Sequence, residues 1–140
     1  MSAARLLLKP KECVMLLVDF QAGLGFAIES IPRQLVLNNA VGLARTAVAF
    51  KVPVIASTSA SRVYSGPLLP GLQEALPSVK AIERRSMNVW ENDTARNGIV
   101  ATKRKRLILA GFLTEACARP GPAVPESADT FGVALRACAC

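Results

Sequence analysis

Histidine is absent from the 140 residues of this chain. Its absence excludes every mechanism that needs an imidazole, such as the Ser-His-Asp triad, the Cys-His pair, histidine-ligated zinc and the helical H-E-x-x-H site. Long apolar runs are also lacking. A membrane-spanning helix needs about 18 or more consecutive apolar residues, and the chain contains no such stretch. The sequence therefore predicts neither a histidine-dependent site nor a transmembrane segment.

The composition is that of a single folded domain. Hydrophobic residues make up 51% of the chain and charged residues 19%, which is ordinary for globular proteins and excludes wholesale disorder. A length of 140 residues suits one domain, since domains usually have about 100–200 residues.

The chain is basic, with a formal net charge of +7 that could attract polyanions. The excess is scattered, and the single run of basic residues, K-R-K-R at 103–106, directly precedes an apolar segment. No aromatic residue interleaves with this run to stack on bases. We interpret it as a solvated helix end, where cations are favoured, and keep a nucleic-acid ligand as the alternative.

The four cysteines show no C-x-x-C spacing; they are Cys13, Cys117, Cys138 and Cys140. No secretory leader pattern precedes them, so we predict a reducing, cytoplasmic location. Cys13 lies inside an apolar run, which is typical of a buried structural thiol. The terminal pair offers too few ligands for a closed zinc site, so no metal site is predicted.

Apolar strand-like segments alternate with segments of helical periodicity. The strands are predicted at 13–18, 52–56, 79–83 and 106–111, and the helices at 33–50, around 72–76 and from 92 or 93 to 102. Such alternation implies right-handed crossovers and a parallel sheet covered on both faces, which is an α/β fold.

Chemically useful side chains follow three of these strands. Asp19 follows the first strand, Arg84 and Arg85 follow the third, and Cys117 lies shortly after the fourth. Function in parallel sheets gathers beyond the carboxyl ends of the strands. We therefore expect a carboxylate, a guanidinium and a thiol to converge at one edge of the sheet.

A thiol becomes a strong nucleophile only when it is ionised, and the pKa of free cysteine is about 8.5. Without histidine, Asp19 is the candidate acceptor for the proton of Cys117. Arg84 could stabilise the thiolate and hold the carboxylate, but a guanidinium is too basic to act as the base itself. The alternative interpretation of these residues is a buried, inert cysteine and an aspartate that caps a turn.

Four local strings add a family resemblance. They are L-L-V-D-F-Q at 16–21, V-P-V-I-A-S-T at 52–58, N-V-W at 88–90 and L-I-L-A-G-F-L-T-E-A-C at 107–117. In this order and spacing the set resembles the isochorismatase-like cysteine hydrolase superfamily, specifically its subgroup of uncharacterised hydrolases with an Asn-x-Trp element. The resemblance covers residues 8–119.

The resemblance implies a three-layer α/β/α, Rossmann-like fold and a triad of Asp19, Arg84 and Cys117. Most of the superfamily has lysine where Arg84 stands here, and Arg85 is the neighbour that could take this place instead. The backbone N–H groups of Leu113 and Cys117 would form the oxyanion hole, with a cis peptide at 112–113. The resemblance further implies a substrate pocket formed by Phe20, Gln21, Asn88, Trp90 and Thr114.

The implied function is hydrolysis of a C–N, amide-like bond in a small molecule through a cysteine nucleophile, by a chain that forms homo-oligomers. No cofactor is implied, and the absence of histidine argues against the metal site of the nicotinamidase branch. Two alternatives stay open: a non-catalytic family member that acts through subunit contacts, and a ribonuclease-like protein suggested only by the basic charge.

The pattern changes after Cys117, where the segment A-R-P-G-P-A-V-P at 118–125 makes continuation of a helix unfavourable. We therefore divide the chain into a partial hydrolase domain at 1–119 and an irregular tail at 120–140. The family domain would be truncated or replaced after about residue 119. About four of the family's six strands would be present, and the fourth would have an unpaired apolar edge.

Overall fold

Strands alternate with helices up to residue 111 in the computed structural model, which describes residues 7–29, 31–112 and 129–132, the last four by their backbone only. The strands are β1 (Cys13–Val18), β2 (Val54–Ser59), β3 (Ile82–Arg84), β4 (Arg106–Gly111) and β5 (Asp129–Gly132). The α-helices are α1 (Ala22–Gly25), α2 (Arg33–Ala49), α3 (Pro70–Ala75) and α4 (Asp93–Ala101). Short 3₁₀ turns occupy Pro10–Glu12 and Val89–Glu91.

The strands form one sheet in the order β3-β2-β1-β4-β5, and every pairing is parallel. β1 lies in the middle, where Leu17 is in register with Ala56 on one side and Ala110 on the other. All six residues of β1 are buried. A strand covered on both faces has no polar alternation, which is why an uninterrupted apolar run marks it in the sequence.

Helices cover both faces of the sheet. Cys13, Met15 and Leu17 point toward the core that includes α2 and α3, whereas the alternate residues Val14, Leu16 and Val18 pack against Trp90 and Ala95 on the opposite face. This arrangement follows from the two-residue period of a strand. The α/β fold with a parallel sheet, predicted from the alternation of elements, is confirmed.

The two longer helices begin and end close to the predicted positions. α2 presents Val36, Ala40, Ala44 and Ala47 to the core along one side, as expected for an amphipathic helix. α4 is capped by Asn92, whose side-chain oxygen accepts a hydrogen bond from the N–H of Ala95 at 3.0 Å. The basic run follows this helix, and its residues Lys103 and Lys105 are exposed.

The prediction that β4 has an unpaired edge is wrong. β5 pairs with β4 in parallel, from Arg106 opposite Asp129 to Leu109 opposite Gly132, so the described sheet has five strands rather than four. Part of the tail predicted to be irregular is thus a strand. Its sequence, D-T-F-G, lacks the apolar run that marks β1 and β4, so the sequence pattern could not predict it. The domain boundary near residue 119 stays a prediction.

Candidate active site

Asp19 follows β1 at the carboxyl edge of the sheet and is fully buried. Its N–H donates to the carbonyl of Ser57 at 3.0 Å, and its own carbonyl accepts from the N–H of Gln21 at 2.8 Å. The backbone turns there with a φ of +56°. Aspartate tolerates this left-handed conformation better than most residues do. The turn aims the carboxylate across the ends of the neighbouring strands.

Arg84 ends β3 and reaches across β2 to this carboxylate. Its Nη1 donates to Oδ1 of Asp19, and its Nη2 donates to Oδ2 at 2.5 Å. Nη1 also donates to Oγ of Ser57 at 3.2 Å, and Nη2 to the carbonyl of Met87 at 2.9 Å. Since both charged side chains have no exposed surface, this is a buried, bidentate ion pair of the geometry that guanidinium and carboxylate favour.

The geometry separates the two neighbouring arginines. Arg84 is buried against Asp19, whereas Arg85 is exposed. The sequence left open which of them faces the carboxylate, and the structure places Arg84 there. Asp19 and Arg84 are thus brought together, while their catalytic roles stay a proposal.

Ser57 is a member of this cluster that the sequence reasoning missed. It lies in β2 between the strands that carry the ion pair, is buried, and contacts Arg84 through its hydroxyl and Asp19 through its carbonyl. The position of Ser57 could have identified it. The segment S-T-S at 57–59 ends an apolar strand, where polar groups face the functional edge of the sheet.

Three residues predicted to form a substrate pocket are engaged in packing or in a local cap. Phe20 is buried and stacks edge-on against Phe112, with ring centroids 4.6 Å apart. Trp90 is a core residue on the α4 face. The side-chain oxygen of Asn88 accepts a hydrogen bond from the N–H of Trp90 at 3.0 Å. Their contact with a substrate stays a prediction.

Gln21 ties the loop after β1 to the loop after β2. Its Nε2 donates to the carbonyls of Ser59 at 3.0 Å and Gly66 at 2.6 Å, while its Oε1 accepts from the N–H of Ser59 at 2.9 Å. The side chain is fully buried, so these three bonds satisfy an amide that would otherwise be costly to bury. This geometry assigns Gln21 a positioning role, and its predicted contact with a substrate stays untested.

Leu113, Thr114 and Cys117 lie outside the described residues. The proposed nucleophile, the oxyanion hole and the cis peptide at 112–113 therefore stay predictions. β4 ends at Gly111, so the described chain leads to the same edge of the sheet that carries Asp19.

A pocket of about 440 Å³ opens beside the ion pair, between the loops that follow β2 and β3. It is lined by Ser59, Ala60, Tyr64 and residues 83–87. Arg84, whose side chain contacts Asp19, is therefore also one of the residues that line this pocket. The pocket places space for a small molecule next to the charged cluster.

Glu83 stands at the wall of this pocket. Burial raises the pKa of its carboxyl, but hydrogen bonds from the N–H of Ser61 and the hydroxyl of Thr58 outweigh that effect and lower the pKa below its usual value, helped by Arg62. Glu83 is therefore an anion at neutral pH.

We expect Glu83→Gln to be less stable than the parent chain at neutral pH. In acid this difference in stability should disappear. A carboxyl with a lowered folded pKa stabilises the fold above its unfolded pKa, about 4.3, and this contribution disappears as pH falls through the folded pKa. Melting temperatures of both forms between pH 3 and pH 7 measure the difference. Glu74→Gln, at an exposed position on α3, is the control, and a difference that grew toward acid would contradict the assignment.

Within residues 7–29, 31–112 and 129–132, no group of three or more Cys, Asp or Glu side chains is arranged to hold a metal ion. In the same part of the chain, no helix combines the length and apolarity needed to cross a bilayer.

The fold has counterparts among known proteins, although no family model matches the chain. An isochorismatase from Pseudomonas putida KT2440 shares the fold, with a TM-score of 0.63 at 19% identity over 78% of this chain and 60% of that one. The probable hydrolase YcaC of Escherichia coli is 36% identical over 129 residues, which is 90% of this chain and 62% of that protein. The chain is therefore similar in sequence to a probable hydrolase and shares the fold of an isochorismatase.

The chain is similar to the YcaC proteins in structure as well as in sequence. The Escherichia coli structure, described as an octameric hydrolase of unknown specificity, has a TM-score of 0.84 at 37% identity and covers 90% of this chain and 63% of that one. YcaC from Pseudomonas aeruginosa, solved with hexane-2,5-diol and covalent acrylamide, has a TM-score of 0.84 at 34% identity over 90% and 64%. The chain thus spans less than two thirds of the length of these relatives.

Proposed function

We propose that this chain is a small-molecule hydrolase that cleaves the C–N bond of an amide through Cys117, with Asp19 and Arg84 completing the triad. The buried ion pair between Asp19 and Arg84 carries the proposal. Burying two charges is costly, and desolvated, paired charges are frequent at functional sites. Their place at the carboxyl edge of a parallel sheet fits that function.

The chemistry follows from the lone pairs of the carboxylate. Each oxygen of Asp19 accepts one bond from Arg84 and, as a carboxylate oxygen, keeps a second lone pair. One of these takes the proton of the Cys117 thiol. The thiolate attacks the amide carbon, and the S–C bond forms. The C–N bond then breaks as Asp19 returns the proton to the amine, and water hydrolyses the thioester to the carboxylic acid.

Arg84 has a positioning role in this scheme. It holds both carboxylate oxygens and cannot itself accept a proton, so the carboxylate keeps one orientation throughout the cycle. The backbone N–H groups of Leu113 and Cys117 would stabilise the oxyanion. Phe20, Gln21, Asn88, Trp90 and Thr114 stay the proposed surroundings of the substrate.

We also propose that the chain forms homo-oligomers. The Escherichia coli relative is described as octameric, and this chain has large exposed apolar side chains, including Phe26, Phe50 and Val48. Such side chains are often covered in assemblies.

Acrylamide tests the proposal, because the Pseudomonas aeruginosa relative was solved with covalent acrylamide. Mass spectrometry of the treated chain should show one rapid adduct, on Cys117. Asp19→Asn should slow its formation by about 100-fold, the lower part of the usual contribution of a general base. Cys117→Ala should abolish both the adduct and hydrolysis of small aliphatic amides.

Cys13 provides an internal control. It is a free, buried thiol, and burial raises its pKa despite the opposing charge of Arg106, so it should react slowly. Cys13→Ala should keep the rapid adduct. Equal labelling of Cys138 or Cys140, or hydrolysis by Cys117→Ala at the parent rate, would refute the proposal.

A further inference from the structure

The 440 Å³ pocket beside the ion pair is lined by three charged residues whose side chains have different surroundings. Arg84 is paired with Asp19, so its charge is compensated. Glu83 accepts hydrogen bonds on both oxygens, at 2.7 Å from Thr58 and 3.0 Å from Ser61. These two groups are therefore already satisfied within the protein.

Arg85 differs from both. It is exposed and lines the pocket, and within the described residues it makes no salt bridge and no side-chain hydrogen bond. A guanidinium presents a planar fork of donors that matches a carboxylate. The pocket thus contains a cation whose natural partner is an anionic group brought by a ligand.

Two other residues that line the pocket are less polar. Tyr64 and Met87 line it with side chains that are 70% and 66% exposed. Such surface is covered favourably by an apolar chain. The pocket therefore combines a guanidinium that has no partner among the described residues with an apolar surface suited to a hydrocarbon linker.

We propose that this pocket binds a carboxylate through Arg85, and that the substrate of the chain is an amide whose apolar body ends in that carboxylate. The second part rests on the proposed hydrolase function. The first part does not, because binding of an anion requires no reaction at Cys117.

Isothermal titration calorimetry with adipate and its neutral diamide, adipamide, tests the site directly. The two probes have the same chain length and differ in charge. The parent chain should bind adipate about 10-fold more tightly than adipamide, as expected when a charge-assisted hydrogen bond replaces a neutral one. Arg85→Met should remove this preference, and Arg85→Lys should restore part of it.

Arg45→Met is the matched control, since it removes the same charge from the exposed side of α2 and should leave the preference intact. Equal binding of the two probes, undetectable binding of adipate, or an unchanged preference in Arg85→Met would overturn the site.

Faster hydrolysis of adipamate than of adipamide, lost in Arg85→Met, would support the substrate class, and equal rates would overturn it. Failure of the acrylamide experiment would instead refute the hydrolase and leave the titration result standing.

Discussion

Arg84→Met should lower the free energy of unfolding by about 3–5 kcal/mol, the usual cost of leaving a buried charge without its partner. The substitution keeps an unbranched side chain in the space but removes both donors that Asp19 accepts from. Asp19 has no exposed surface, so water cannot replace the guanidinium without opening the site. Urea unfolding followed by circular dichroism measures the loss.

Arg85→Met is the control, because it makes the same chemical change one residue further along the chain. Arg85 is exposed, and surface substitutions usually change stability by less than about 0.5 kcal/mol. The double variant Asp19→Asn/Arg84→Met should recover part of the loss, since it removes the buried charge as well. Equal destabilisation by Arg84→Met and Arg85→Met would show that the ion pair does not stabilise the fold.

Much of the fold could be predicted from the sequence because buried strands and helix faces are visible as patterns of apolar residues. β1 and β4 occupy the predicted residues, since strands covered on both faces are continuous apolar runs. β3 is harder. It has three residues, Ile82–Arg84, of which one is buried, and the sequence predicted it to begin at residue 79. So short a strand has too few alternating positions to mark its bounds.

The candidate site could be predicted only at the level of strand ends. The rule that functional groups gather at the carboxyl edge of a parallel sheet named Asp19 and both arginines. Which arginine is buried depends on where β3 ends and how its last side chain turns. The sequence pattern could not decide this, because only the tertiary structure shows which of two adjacent arginines contacts a carboxylate.

Polar side chains that serve the backbone were the least predictable. Contact of Gln21 with a substrate stays a prediction, but no sequence pattern indicated that its amide bonds to Ser59 at the end of β2 and to Gly66 in the loop that follows. Those partners become visible only when the loops after β1 and β2 are placed side by side. Trp90 was also predicted to line the substrate pocket, and the structure places it in the core that faces α4.

The contact between these loops leads to a second large effect, at Gly23. A Cβ added there would lie 2.3 Å from the carbonyl oxygen of Tyr64 and 2.7 Å from that of Ser65. The N–H of Gly23 also donates to the carbonyl of Ser65 at 2.8 Å. Only glycine allows the two backbones to approach so closely. Because the obstructing atoms are backbone, a side-chain rotation cannot relieve the clash.

We therefore expect Gly23→Ala to destabilise the chain by about 1–3 kcal/mol, the usual cost of overpacking, and to weaken adipate binding by displacing Tyr64 from the pocket. Gly42→Ala is the control, and its expected change in stability has the opposite sign. Gly42 lies within α2 and has no atom within 4 Å of an added Cβ, so alanine should stabilise the helix by about 0.5–1 kcal/mol. Urea unfolding and calorimetry with adipate measure the two effects. If Gly23→Ala were as stable as Gly42→Ala and bound adipate normally, the loops after β1 and β2 could not be held together as described.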